Sequence, residues 1–358
     1  MTSFHCPTEI FTGRHALDAL KRFSAQRVLI VTDSFFAKTG KALQIGHMVP
    51  GAQVQIFDKV VPDPPATLAA QGASVCRSFR PELLIALGGG SPMDCAKAIR
   101  LAYGEKLTFI AIPTTSGSGS EVTSFSILTH KGVKHPLVDP TLRPDAAILD
   151  ESLLERLPTS LVADTGMDLL AHCMEALVAL NRSAFTDALA FHGAKTVLEN
   201  LEASFRGDIT VRLSIHEAAA MAGMSFDNAG LGICHALAHA IGGSFHVPHG
   251  RLCAMLLPGV MACNAHSGLK QYAALARFCG LPTPTDRLAL RNLISAITRL
   301  QKTLLLPQSL KQAGIEKQQW KEKEQSVIDA ALEDPCCRTN PVPVTKEVLT
   351  EILKAVAP

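Results

Sequence analysis

This sequence predicts an α/β domain built on a parallel sheet, followed by an all-helical domain. Three observations carry that expectation. Between residues 27 and 150, short β-branched apolar runs alternate with longer helical periodicities, the pattern of a parallel sheet covered by helices. Two of these runs end in glycine- or hydroxyl-rich loops, at the edge where such sheets bind ligands. Beyond Pro158, helical periodicity takes over and strand signal nearly vanishes. The expected division is 1–158 for the α/β domain and 159–358 for the helical one.

Residues 28–33 (VLIVTD) are uninterrupted and β-branched, which reads as a strand buried on both faces. Residues 53–58, 83–87 and 109–112 read the same way, with helices at 65–77 and 92–103 between them. In the second half, helices are expected at 162–180, 185–201, 211–222, 270–277, 286–304 and 346–355. The charged run 316–324 fits a solvated helix or loop, and Pro307, Gly314 and residues 334–343 punctuate the last quarter.

The third strand runs into GGGSPMD (88–94). Glycines let the backbone approach a ligand closely, so Gly89, Gly90 and Ser91 are candidates for a pyrophosphate contact at a helix N-terminus. Ser91 fits the N-cap, Pro92 the first helical position and Asp94 the third. A tight turn that binds nothing is the competing reading. The fourth strand runs into TTSGSGS (114–120), where Thr114, Thr115 and Ser118 offer hydroxyls suited to phosphate, ribose and carboxamide groups. Structure resumes at once at Val122, which favours a binding loop over a linker. Asp33 ends the first strand and fits either an adenosine ribose contact or a helix cap. Facing the ribose, its charge would repel a 2′-phosphate and favour NAD over NADP.

The densest chemistry lies in GLGICHALAHAIGGSFHVPHG (230–250), which holds four of the 13 histidines. His235 and His239 stand four apart and leave one helix face together. Gly242-Gly243 is expected to end that helix, and Val247-Pro248 to turn the chain so that His249 returns. Asp168 and His172 repeat the four-residue spacing on another apolar helix, where an unpaired polar group is costly. A carboxylate and imidazoles converging would suit Fe²⁺ or Zn²⁺. These five candidates exceed four protein ligands, so one imidazole would be left for proton transfer, and spacing does not say which. His246 fits an exposed position.

Composition narrows the class. Of 358 residues, 47% are hydrophobic and 18% charged, with a net charge of +2, which argues against nucleic acid or a membrane surface as partner and for self-association. No stretch reads as a membrane span or a signal peptide. Ten scattered cysteines without a CxxC pair point to a reducing cytoplasm.

Taken together, GGGSPMDCAKAI (88–99), IPTTSGSGSEV (112–122), PDAAILD (144–150), ADTGMDLLAHCMEA (163–176) and the 230–250 stretch resemble the iron-containing, or group III, alcohol dehydrogenase family. The resemblance spans nearly the whole chain. It implies a dehydroquinate synthase-like architecture, with a Rossmann-like sheet before the helical domain. The implied ligands are Asp168, His172, His235 and His249, for Fe²⁺ or alternatively Zn²⁺, leaving His239 beside the substrate as a proton relay. It implies that Asp33, Gly90, Ser91, Thr114 and Thr115 contact NAD, that Lys134 in GVKHP approaches the nicotinamide, and that Phe125 and Phe226 line the substrate pocket. The implied reaction is reversible hydride transfer between NAD and small primary alcohols such as propanol or ethanol, in a cleft between the domains.

Within the family, length and the segments FHVPHG and CRTNP look most like the 1-propanol dehydrogenases of propanediol-utilisation microcompartments. That likeness implies a cytoplasmic enzyme inside such a compartment, a homodimer or larger homo-oligomer, with shell or enzyme partners. Residues 1–14 show no clear encapsulation helix. A glycerol or other diol dehydrogenase (lactaldehyde reductase-like) and a metal-binding scaffold without redox activity are the alternatives. Departures from the family pattern are Asp63 for Asn, Ala240 for Pro, His246 for Asp or Asn, and Val342 for Arg.

Overall fold

Extended β-branched runs give eight strands in a computed structural model that describes residues 3–130 and 133–358. They are β1 (Glu9–Gly13), β2 (Arg27–Asp33), β3 (Gln53–Val60), β4 (Leu83–Gly88), β5 (Thr108–Pro113), β6 (Phe125–His130), β7 (Val133–Val138) and β8 (Ala146–Asp150). Six form one sheet of order β1-β8-β5-β4-β2-β3 in which every pair is parallel; β6 and β7 form a separate antiparallel pair. Four of these strands are those expected from sequence. β1, β8 and the hairpin are not. β1 is half-exposed and lacks an apolar run, β8 opens on two alanines, and β7 is broken by Lys134, His135 and Pro136.

Alternate residues of β2 serve opposite faces, as a pleated strand requires. Leu29 and Val31 pack with Phe57, Met93 and Phe109, whereas Val28 and Ile30 pack with Ile45, Ile85 and Ile148. Helices α1 (Ser34–Lys38), α2 (Lys41–Gly46), α3 (Ala66–Phe79) and α4 (Gly90–Tyr103) cover the sheet. The chain leaves β2 for β3 on one side and returns to β4 on the other, so the strand order reverses between β2 and β4. Ligand crevices of doubly wound sheets open at such a reversal, here between Asp33 and Gly88.

Contacts divide the chain into two compact units, Cys6–Leu157 and Pro158–Pro358, and the described residues ahead of Cys6 belong to the second. Phe4 stacks on Phe185 at 5.7 Å, and the His5 amide donates to Asn228 at 2.7 Å. Residues 3–5 thus depart from the expected 1–158 grouping, while Met1, Thr2 and the Gly132 of GVKHP lie outside the described residues.

The second unit contains α5 (Thr159–Ala176), α6 (Ala184–Phe205), α7 (Arg212–Ala229), α8 (Ile233–Phe245), α9 (His249–Phe278), α10 (Asp286–Thr303), α11 (Lys317–Glu333) and α12 (Lys346–Lys354). At 30 residues, with a window of mean hydropathy 1.3, α9 is long and apolar enough to cross a membrane by length and composition alone, a test that the buried core helix of a globular unit also passes. Here it is the central helix of the unit, packed by α5, α8 and α10. Pro258 interrupts it without an N–H, and the carbonyl thereby freed, that of Ala254, accepts instead from buried Gln301 of α10.

Gly242-Gly243 does not end α8, because the helix runs on to Phe245 and stops where His246 turns left-handed at φ 56°. Two glycines cost about 1 kcal/mol each in a helix, which tertiary packing overrides. Gly250 follows His249 where α9 meets α5: a Cβ there would overlap the Asp164 carbonyl. Arg251 holds the same junction, donating to both Asp164 carboxylate oxygens at 3.1 and 3.0 Å. We therefore expect Gly250→Ala to lower Tm by roughly 5–10 °C and to weaken metal retention. A variant that melts and holds metal like the parent would contradict this account of the junction.

Candidate active site

Three helices deliver the polar cluster of the second unit. Asp168, His172 and Glu175 come from α5, His235 and His239 from α8, and His249 is the first residue of α9. The Oδ1 of Asp168 lies 3.4 Å from His249 Nε2, 3.6 Å from His235 Nε2 and 4.0 Å from His172 Nε2. Among the described residues, neither that oxygen nor His235 Nε2 has a hydrogen-bond partner, although both are buried. Ligands about 2.1 Å from a shared tetrahedral ion stand roughly 3.4 Å apart. The gaps are too long for hydrogen bonds, and those to His249 and His235 are the right size for a divalent ion, so Asp168, His235 and His249 fit one, with His172 the outermost at 4.0 Å.

Charge points the same way. Burial alone would push the Asp168 carboxyl up, yet the neighbouring imidazoles hold it far below the ordinary carboxylate range. Burial would depress His235, yet Asp168 and Glu175 raise it well above its usual value. The pocket stabilises positive charge.

The sequence reading did not single out Glu175. Its Oε2 lies 2.6 Å from His235 Nδ1, and its Oε1 accepts the Cys234 amide at the start of α8, also at 2.6 Å. One carboxylate thus caps a helix and turns His235 so that Nε2 faces Asp168. Its signal was present: Glu175 stands seven after Asp168 on the same apolar helix, and a carboxylate buried there needs partners. Asn340 of the TNP segment completes the support, accepting from the Ile233 amide and pairing with Asn264 of α9. Cys253 was also missed; its Sγ lies 3.5 Å from His249 Nε2.

His239 stands apart from the Asp168 group. Its ring stacks on His249 at 5.1 Å, but its Nδ1 lies 2.8 Å from Oδ2 of Asp334. Burial opposes ionisation of Asp334, but His239 and the Cys336 amide overcome this and bring it down to about 2. Phe226 is buried and stacks on His172 at 4.4 Å, so it braces that ring, and Phe125 belongs to the other unit. His246 is exposed.

In the α/β unit, α4 begins at Gly90 with Gly89 as its cap. Ser91 and Pro92 therefore sit inside the first turn, where a missing N–H costs nothing, and Asp94 lies beyond it. Gly88 holds φ 144°, a conformation glycine tolerates best. The two loops lie against each other: the Thr114 amide donates to the Gly88 carbonyl at 3.0 Å. A Cβ on Gly89 would come 3.1 Å from Thr115 Oγ1, and one on Gly90 3.5 Å from Ser118 Cβ. Bare backbone at a helix N-terminus beside these hydroxyls fits a nucleotide pyrophosphate.

Asp94 is tied inward, accepting from Ser120 Oγ at 3.1 Å, and burial lifts its carboxyl to about 6. Fully buried Lys97 donates to Ser120, Thr123 and the Phe125 carbonyl, at 2.8, 3.0 and 2.6 Å. Asp33 is a helix cap, accepting from the Phe35 and Phe36 amides at 2.9 and 3.2 Å through Oδ1. Lys134 pairs with Asp63 at 2.7 Å, and Asp63 has φ 51°, a region Asn and Asp enter more readily than most residues.

The sequence profile described as "Iron-containing alcohol dehydrogenase" matches residues 7–151, and "Fe-containing alcohol dehydrogenase family, C-terminal" matches 162–357. The chain is 39% identical over 367 residues to 1-propanol dehydrogenase PduQ of Citrobacter freundii, covering 99% of each protein. It is 36% identical over 380 residues to the NADPH-dependent butanol dehydrogenase of Clostridium saccharobutylicum, covering 99% of this chain and 98% of that one. The solved structure of a 1,3-propanediol oxidoreductase superposes with a TM-score of 0.92 at 30% identity, covering 99% of both chains.

Removing the Glu175 carboxylate should release His235 and uncap α8. Glu175→Ala is expected to weaken metal binding about 10- to 100-fold. Competition with a calibrated chelator measures this, and unchanged affinity would sink the assignment.

Proposed function

The chain belongs to the iron-containing alcohol dehydrogenase family, and from that premise we propose that it interconverts small primary alcohols and aldehydes using NAD(H), with aldehyde reduction the working direction. Membership makes it an alcohol oxidoreductase with a divalent metal and a nicotinamide cofactor. The observation that carries the site is the Oδ1 of Asp168, buried without a hydrogen bond among the described residues and faced by three imidazoles. Asp168, His172, His235 and His249 would hold Fe²⁺, with Zn²⁺ the alternative. The names of the relatives, 1-propanol and butanol dehydrogenases, support a short apolar substrate. Likeness to a 1,3-propanediol oxidoreductase supports a diol as second reading.

When bound, the metal supplies Lewis-acid polarisation of the carbonyl and the nicotinamide supplies the hydride. The protein's own part is positioning and proton management. Glu175 and Phe226 fix the His235 and His172 rings, so no reorganisation is required as charge builds on the substrate oxygen. His239 is the imidazole left outside the ligand set, and it would exchange the alcohol proton. In the α/β unit, Gly89, Gly90 and Ser91 would receive the pyrophosphate, with Thr114, Thr115 and Ser118 beside it. Lys134 would stand toward the nicotinamide end.

Cofactor choice falls to Asp33. Its Oδ1 is occupied by the α1 amides, which leaves Oδ2 to accept ribose hydroxyls and to repel a 2′-phosphate. Asp33→Gly should raise the NADPH/NADH ratio of kcat/KM at least about tenfold, the equivalent of ~1.4 kcal/mol; an unchanged ratio would remove Asp33 from that role.

Elemental analysis of anaerobically purified protein, with a screen of short aldehydes, alcohols and diols followed by NADH absorbance, tests the reading as a whole. His249→Ala should lose metal and turnover while retaining NADH binding. Full activity after both chelation and this substitution would refute it.

A further inference from the structure

We propose that Asp334 is the positioning residue for His239, holding the imidazole by Nδ1 so that Nε2 is the nitrogen offered to the substrate. The proposal rests on the reading of His239 as the proton-transfer group and adds how that group is oriented.

The geometry separates His239 from its neighbours. Around Asp168 the oxygen-to-nitrogen gaps are 3.4 to 4.0 Å, the spacing of ligands around a shared ion. The His239–Asp334 gap is 2.8 Å, a direct hydrogen bond. Asp334, His239 and Cys336 have donor atoms within 4.8 Å of one another and so resemble a second metal set. An ion shared by His239 and Asp334 would force them about 3.4 Å apart, and a carboxylate already bonded to Nδ1–H has no need of one.

Asp334 is itself fixed. It follows the last residue of α11, and its Oδ1 accepts the Cys336 amide at 2.8 Å, capping the turn over Pro335–Thr339. Side-chain exposures of 13% for His239 and 11% for Asp334 leave the pair mostly shielded from competing water. The arrangement repeats at His235, where Glu175 holds Nδ1 and Nε2 faces the Asp168 group. An ionised carboxylate is acceptor-only, so it demands N–H at Nδ1 and leaves Nε2 as the exchanging nitrogen: its lone pair takes the alcohol proton in oxidation, and, protonated from solvent, it gives that proton to the alkoxide in aldehyde reduction. The two nitrogens lie on opposite edges of the ring, so fixing one aims the other.

The test compares His239→Ala, Asp334→Ala, Asp334→Asn and the double alanine variant as metal-loaded holoenzymes. Readouts are kcat and KM for aldehyde reduction, metal content, NADH affinity and, on zinc-loaded ¹⁵N-histidine protein, the His239 tautomer. Asp334→Ala is expected to lower kcat about 10- to 100-fold with KM for NADH and metal content unchanged. The protonated-Nδ1 signal of His239 should vanish, and the loss should not deepen in the double variant. Asp334→Asn preserves the shape of the side chain and decides the matter if the alanine variant fails to fold.

Parental kcat in the Asp334 variants beside an impaired His239→Ala overturns the pairing alone. Full turnover of His239→Ala overturns both the pairing and the proton-transfer reading beneath it. Fully additive losses, an unchanged tautomer, or a second equivalent of metal that disappears with Asp334 each overturn it as well.

Discussion

A carboxylate oxygen buried among three imidazole nitrogens, with no hydrogen bond among the described residues, is tolerable only if positive charge shares its space. That constraint at Asp168 shapes the helical unit. An unpaired buried carboxylate costs several kcal/mol, and three histidines at 3.4 to 4.0 Å are too far away to satisfy it directly. A divalent ion among them would satisfy that oxygen and the facing imidazoles at once. The cluster is therefore a poor apolar core and could hold a metal ion.

Two features keep it so. Gly250 lets α9 start against the α5 backbone, bringing His249 to Asp168, and the Arg251–Asp164 pair locks the approach. Glu175 joins α5 to α8 by bonding a helix amide and an imidazole with one carboxylate. Both are polar or steric details inside otherwise apolar contacts. A substitution at either would be felt first as misplacement of a ring by a few tenths of an ångström, the scale on which ligand geometry fails. His235 and His239 leave the same helix face, yet their Nδ1 atoms meet different carboxylates, Glu175 and Asp334.

The α/β unit shows a second style of preorganisation. The loops after β4 and β5 are built from glycines and hydroxyls, which have little packing of their own. Lys97, wholly buried, replaces that packing with three hydrogen bonds to the 120–125 segment, and Asp94 holds Ser120 from the other side. Burial pushes the neighbouring Glu121 carboxyl up to about 7, consistent with a loop anchored in a low-dielectric interior. Rigid loops lose less entropy on binding, which favours ligand affinity.

Periodicity and loop chemistry were enough to read the α/β-then-helical order and the principal sheet strands, because apolar runs of period 2 and 3.6 are local properties of the chain. The i, i+4 pairs at 168/172 and 235/239 were legible for the same reason. Strands β1 and β8 were not, since a half-exposed edge and an Ala-Ala opening become strands only when a neighbour pairs with them. The end of α8 was misread at Gly242-Gly243, where packing outweighed propensity. Resemblance separated His239 from His249 at the sequence level, as spacing alone did not. In the tertiary structure the two rings have different neighbours: one nitrogen stands 3.4 Å from Asp168 and the other ring is hydrogen-bonded at 2.8 Å to Asp334, 95 residues away. Glu175 acts through a helix 59 residues on, and Gly250 through a backbone it meets only after folding. The sequence by itself determined which residue types were available and on which faces. Which carboxylate meets which imidazole is a long-range contact, and only the packing of α5, α8, α9 and the 334–340 segment decides it.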